Sequence, residues 1–267
     1  MASKTFAVTV SLAALAAAQF SSNCTNGISQ LSSNDEASKC LALNQLSTLA
    51  VLKADQSVLT PVDNWLKAFC AAPACSDSTI ETVVQAVSSA CATDIQQLGA
   101  TQEQVTNIIP MISQYFGTAK EMLCLADTKT DLFCASEMAA DIQTQLGQPL
   151  SLTNFASIYG SVLSGGQSSV NASVICTDCT KGAISILTSN TAITGGDVSS
   201  VGSSVCSADF VASATSLPAN IVVGTGTAVP KGSPSDKTDT KAGAASTLAV
   251  AGTVSAIAGA VLVAFLA

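Results

Sequence analysis

Ten cysteines constrain this chain more than any other feature: Cys24, Cys40, Cys70, Cys75, Cys91, Cys124, Cys134, Cys176, Cys179 and Cys206. An even count behind a secretory leader reads as a disulfide framework. Two other readings compete. Cys70 to Cys75 and Cys176-Thr177-Asp178-Cys179 are the close pairs, and two such pairs could supply four thiolates to a zinc ion. A redox role for Cys176-x-x-Cys179 would want a βαβ context, which the flanking residues do not offer. Structural bridges are the expectation. The best single pair is Cys124 with Cys134, which flank a polar turn almost symmetrically.

The two ends of the chain set the compartment. Lys4, the apolar run Phe6 to Ala16 and the small residues Ala16-Ala17-Ala18 form a signal peptide over 1–18, with cleavage before Gln19. At the other end, Ser246 to Ala267 carries no charge. Small residues at Gly243-Ala244-Ala245, a mild spacer and the apolar run from Val254 match the signal for a GPI anchor, with Gly243 the preferred lipidation site. The tail, 244–267, would then be removed. An ordinary transmembrane helix is the alternative, but it would be expected to carry basic residues on its cytoplasmic flank. Protein placed on this route would sit on the outer face of the plasma membrane or in the cell wall. A glycan or protein of the wall is its possible partner.

Composition narrows the chemistry. All ten basic residues are lysine, and there is no Arg and no His. Cleaving the leader removes Lys4, which leaves 9 Lys against 18 Asp plus Glu, a balance of −9. An acidic, Arg-free surface is a poor match for nucleic acid, whose binding rests on neutralised phosphates. Lack of His excludes Ser-His-Asp and Cys-His catalysis and imidazole metal sites. No cofactor, metal ligand set or catalytic residue is expected. Asp127 and Asp131 could form a carboxylate pair for glycoside hydrolysis, but Asp in a turn is more often simply solvated. Trp65 could stack on a sugar, but its helical spacing favours the core.

Apolar periodicity predicts mainly helix. One short helix surrounds Cys24, and Leu43, Leu46, Leu49 and Leu52 share a face. Thr60-Pro61 starts a helix carrying Trp65, Leu66 and Phe69. Ser78-Thr79-Ile80-Glu81 reads as a capping box. A second box at Thr101 opens a long amphipathic run that Pro110 should kink or split. Met122 to Leu125 and Leu132 to Ala135 read as a β-hairpin. Helices are expected over Glu137 to Leu146, in Ser151 to Leu163 and over Lys181 to Leu187. The Leu, Ile and Phe stripes are core, or the lining of a small apolar ligand or lipid site. Asn23 and Asn171 stand in glycosylation sequons. From 216 to 243 the chain is rich in Ser, Thr, Gly and Pro and reads as an unfolded stalk.

The cysteines fall five and five, which suggests two pseudo-repeated halves, 19–118 and 119–215, within one disulfide-bonded helical domain, 19–215. With five per half and no free thiol, at least one bridge must join the halves.

Asn23-Cys24 to Cys40-Leu41, Pro61 to Cys75-Ser76 with Trp65-Leu66, Cys124-Leu125 to Cys134, and Ile175-Cys176 to Cys179 resemble a family of fungal, mostly basidiomycete, secreted or GPI-anchored proteins built on a domain of unknown function. The resemblance implies a helical, disulfide-bonded cell-surface domain and carries no activity with it. The spacing does not match the compact eight-cysteine haem-binding domains of fungal surface proteins. The combined expectation is a mainly α, disulfide-rich ectodomain with a small central hairpin and a non-catalytic structural or interaction role. A lipid-binding module and a carboxylate-based hydrolase are the rivals.

Overall fold

The computed structural model describes residues 21–50, 52–53, 55–97, 102–151, 171–190, 203 and 206–234. Eleven helices and a three-stranded sheet lie within them. Leader, anchor site Gly243 and tail fall outside, as do Thr101 and all but Ser151 of the helix expected in Ser151 to Leu163.

The first half is helical throughout. Its elements are α1 (Ser22–Leu31), α2 (Asp35–Cys40), α3 (Leu43–Ala50), α4 (Leu59–Ala71), α5 (Asp77–Ala90), α6 (Ala92–Gln97) and α7 (Gln102–Leu123). Local chemistry sets several starts. Ser21, Asn34 and Ser76 each accept a backbone N–H of the following turn through a side-chain oxygen. Such caps satisfy donors that the helix leaves open. The cap of α5 is therefore Ser76, two residues earlier than the Ser78 box; Ser76 Oγ also meets Thr79 Oγ1 at 2.9 Å. Helix α4 likewise begins before Thr60, so Pro61 is its third residue. Pro is tolerated there because the amide it lacks would have no intrahelical partner. Helix α7 runs through Pro110 rather than splitting.

Trp65 and Phe69 stack on α4 with centroids 5.0 Å apart, and Phe116 of α7 meets Phe69 edge-on at 6.3 Å. Trp65 is 3% exposed and its Nε1 donates to the Leu41 carbonyl at 3.0 Å. It is a core residue. Lys120 lies over the Phe69 ring and donates to the carbonyls of Ala72 and Pro73 at 2.9 and 3.1 Å. The cation thus closes the end of α4, where carbonyls lack partners. Leu43 is buried in this core, while Leu46 and Leu52 pack against a smaller cluster of Val58, Leu59 and Leu150.

Strands β1 (Leu125–Asp127) and β2 (Leu132–Phe133) form a hairpin at the expected place but with shifted bounds: Met122 and Leu123 still belong to α7, Ala135 is already helical, and Ala126 pairs with Phe133 and Asp127 with Leu132. A third strand, β3 (Ile221–Val223), pairs antiparallel with β1, giving the order β2-β1-β3. It corrects the expectation that the chain is an unfolded stalk from 216 onward. Ile221 is 3% exposed and packs with Leu125, Cys134 and Cys179. Three apolar residues, Ile221-Val222-Val223, are enough to fill one edge of a strand even inside a Gly- and Thr-rich stretch. Beyond β3 the backbone stays fastened. The amides of Gly224 and Gly226 donate to the carbonyls of Cys124 and Cys70, and that of Gly232 to Asp131. A Cβ on Gly232 would meet the Asp131 carbonyl, so the approach demands glycine.

The second half continues with α8 (Cys134–Leu146), α9 (Ala172–Ile175), α10 (Asp178–Ser189) and α11 (Ala208–Ala212). Gly147, at φ 64°, ends α8 in the left-handed conformation.

All ten cysteines are paired. The bridges are Cys24–Cys91, Cys40–Cys75, Cys70–Cys124, Cys134–Cys179 and Cys176–Cys206. Zinc ligation by the two close pairs is thereby excluded, since no thiolate is left. The expected Cys124–Cys134 bridge does not form. In the observed register Cys124 falls one step out of line with Cys134, so the two side chains leave opposite faces of the hairpin. Cys124 turns to α4 and Cys134 to α10. Cys70–Cys124 joins the halves, as an odd count per half requires. The halves do not share a pattern: the two internal bridges are nested in the first and interlaced in the second.

Candidate functional site

The densest chemistry lies where two helices begin against the hairpin. Cys134 is the first residue of α8, and Cys179 is the second of α10. Their bridge, with Cα atoms 5.4 Å apart, ties the positive ends of two helix dipoles to one point. Carboxylates gather there, as the dipoles favour: Asp178 in the first turn of α10 and Glu137 in that of α8.

Glu137 Oε2 lies 3.7 Å from Cys179 Sγ and 3.5 Å from Thr130 Oγ1. A disulfide sulfur carries no hydrogen. The contact is a hydrogen bond only when the Glu137 carboxyl is protonated and donates. Burial pushes that carboxyl up from its ordinary value near 4.5, and the charges of Asp127 and Asp141 push the same way. Burial raises Asp141 too. Lys129 reaches Asp178 at 3.7 Å, across an exposed gap.

Next to this bridge sits Cys176–Cys206. The backbone of 175–181 is wound tightly into the start of α10: Thr177 N–H donates to Ile175 O, Lys181 N–H to Thr177 O, and Thr180 Oγ1 to Ile175 O. Cys176 and Cys179 thus stand on one short turn but belong to different bridges. Each of the other four bridges has at least one buried cysteine, whereas Cys176 and Cys206 are both partly exposed.

Asp127 and Asp131 have structural duties. Asp127 is 8% exposed; its Oδ1 accepts from the Lys129 amide at 2.7 Å and its Oδ2 from Asn220 Nδ2 at 3.0 Å. Asp131, at φ 56°, accepts from the amides of Lys231 and Gly232 at 3.3 and 3.2 Å. Both carboxylates hold the chain from 220 to 232 against the hairpin. Asp63 is likewise committed. It is 1% exposed, accepts from Ser136 Oγ at 2.8 Å and pairs with Lys67 at 2.8 Å, while Lys67 also donates to Ser233 Oγ at 3.1 Å.

A shallow, open groove of about 330 Å³ runs beside the turn between α2 and α3. It is lined by Ala42, Ala68, Ala71 and Ala72 together with Ser38, Lys39, Asn44 and Gln45. Among the described residues no cluster of His, Cys, Asp and Glu has the form of a metal site.

Asn23 is exposed on α1 beside the buried Cys24, and Asn171 precedes α9, its amide donating to Gln145 Oε1 at 2.9 Å. Sequence reasoning missed Glu137 and the meeting of two helix starts. It also missed the role of the chain after 216. The CxxC at 176–179 was visible, but the interlaced pairing around it was not.

Fold and bridges together define a mainly helical, disulfide-bonded protein of the extracellular type. Among the described residues no helix is long and apolar enough to cross a membrane. No protein-family model, curated protein or solved structure matches the chain.

Proposed function

We propose that this is a non-catalytic cell-surface or cell-wall module, delivered by the leader at 1–18 and held by a GPI anchor near Gly243. Its role is structural or interactive, with a wall glycan or wall protein as partner. The closure of all ten cysteines into five bridges carries this reading. Bridges over loops of 30 to 67 residues restrict the unfolded chain and favour persistence in an oxidising, protease-containing medium. The absence of His from the sequence and the structural use of Asp63, Asp127 and Asp131 support a non-catalytic role. The cysteine pattern's resemblance to fungal surface proteins suggests a fungal wall as the setting.

Phosphatidylinositol-specific phospholipase C applied to expressing cells, with C-terminal peptide mapping of the released protein, tests the anchor. Release of a form ending near Gly243 is expected. Protein that stays on the membrane and retains the peptide Val254 to Ala267 would refute it.

A further inference from the structure

We propose that Cys176-Thr177-Asp178-Cys179 is a disulfide-exchange centre, at which an external dithiol converts the pair Cys176–Cys206 and Cys134–Cys179 into a single Cys176–Cys179 bridge with free thiols at Cys206 and Cys134. The proposal stands on the interlaced pairing, on exposure and on the two helix starts, and is independent of the anchor.

The order of steps follows from where each sulfur sits. Cys176–Cys206 is the one bridge of the five with neither residue buried, so an external thiolate reaches it first. The better leaving group is the thiol of lower pKa. Cys176 lies just ahead of the 12-residue helix α10, whose N-terminal dipole stabilises a thiolate. Attack at Cys206 Sγ therefore releases Cys176 as thiolate and leaves a mixed disulfide on Cys206. The second thiol of the dithiol resolves that mixed disulfide, leaves as the cyclic disulfide and frees Cys206-SH.

The Cys176 thiolate then has a disulfide three residues away on the same tight turn. It attacks Cys179 Sγ. The Cys176–Cys179 bond forms, the Cys134–Cys179 bond breaks and the electron pair leaves on Cys134. Cys134 opens α8, so its thiolate is stabilised by a second helix start. Glu137, one turn along α8, touches the attacked sulfur and holds a proton more firmly than an ordinary carboxyl. It is placed to protonate the departing Cys134. Lys129 offsets the charge that Asp178 adds beside Cys179. In sum one dithiol is oxidised, two protein disulfides become one, and two protein thiols appear. The first-half bridges and Cys70–Cys124 take no part: each holds at least one buried cysteine, which hinders an external thiol, and none has a freed thiolate three residues away, as the buried Cys134–Cys179 bridge does.

The test uses the intact secreted protein, folded, titrated with low dithiothreitol, quenched in acid and alkylated for peptide mapping. Expected are label on Cys134 and Cys206, a peptide closed by Cys176–Cys179, and no label on Cys24, Cys40, Cys70, Cys75, Cys91 or Cys124. Label on Cys176 and Cys206 with Cys134–Cys179 intact would overturn the proposal, as would label appearing first in the first half. A Cys206→Ser variant provides a test without reductant: its single free thiol should map to Cys134, and a free thiol at Cys176 would refute exchange. If that variant is not secreted, the wild-type titration still decides.

Discussion

The two halves each close two internal bridges, yet they use them differently. In the first half the bridges are nested behind an aromatic stack of Trp65, Phe69 and Phe116, and the helices around them are capped by Ser and Asn side chains. In the second half they are interlaced, gathered at helix starts and partly open to solvent. Covalent cross-links of equal number thus do two jobs. Where the apolar core is dense they lock helices already packed; where it is thin they substitute for packing, and one of the two, Cys176–Cys206, stays accessible.

That contrast is tested most severely by deleting bridges pairwise. Replacing Cys24 and Cys91, both buried, with Ala should cost about 4 kcal/mol from loop entropy alone, with more from the void left behind. The same change at Cys176 and Cys206 opens a shorter loop in partly open surroundings; about 3.7 kcal/mol is expected, with little added by a void. Urea midpoints compare the two, and equal losses would erase the distinction between the halves. Asp63→Ala should cost about 3 kcal/mol, because it removes a buried charge and strands the hydroxyl of Ser136, which is 2% exposed. Since Asp63 and Ser136 sit on α4 and α8, this variant probes the polar seam between halves by thermal melt. Ser76→Ala should cost about 1 kcal/mol through loss of the α5 cap and leave the second half unchanged by amide hydrogen exchange.

The smallest effect is expected from Glu137→Gln, and it is a matter of pH. The folded state holds the Glu137 proton more tightly than the unfolded chain does. Stability from this group is therefore complete below about 4.5 and falls as pH rises through the raised folded value. The variant lacks that fall, so wild type should lose stability relative to Glu137→Gln above pH 4.5 in paired melts. A pH-independent difference would show that Glu137 is not burdened by its place beside the bridge.

Much of the first half was legible because its signals are local. The Leu and aromatic spacings predict helices, Trp65 belongs to the core at that spacing, and the polar turn between Cys124 and Cys134 marks the hairpin. Pairing was not legible, because it depends on which face each cysteine leaves. One step of register separates Cys124 from Cys134, and turn symmetry does not reveal it. The cap of α5 was misplaced because Ser76 and Ser78 both offer a hydroxyl, and only the path of the chain selects between them. The segment after 216 was misread for a different reason. Its composition is that of a linker, but its order comes from outside: β1 supplies the ladder for Ile221–Val223, and Asp127 and Asp131 accept from Asn220, Lys231 and Gly232. The candidate site shares that property, since Cys134, Glu137, Cys176 and Cys179 meet only through tertiary packing.

The fastening of 224–233 also fixes how the domain would respond to a pull. Tension applied to the chain beyond Pro234 reaches Ser233 and Gly232 first, then the amides on the Cys70 and Cys124 carbonyls, and then β3. Those two carbonyls belong to the residues whose disulfide joins the halves. A tug from the C-terminal side therefore arrives at the covalent centre of the molecule, not at a fraying end. Suspended that way, the domain would swing as one piece, with α4 of the first half sharing the load through Lys67 and Cys70.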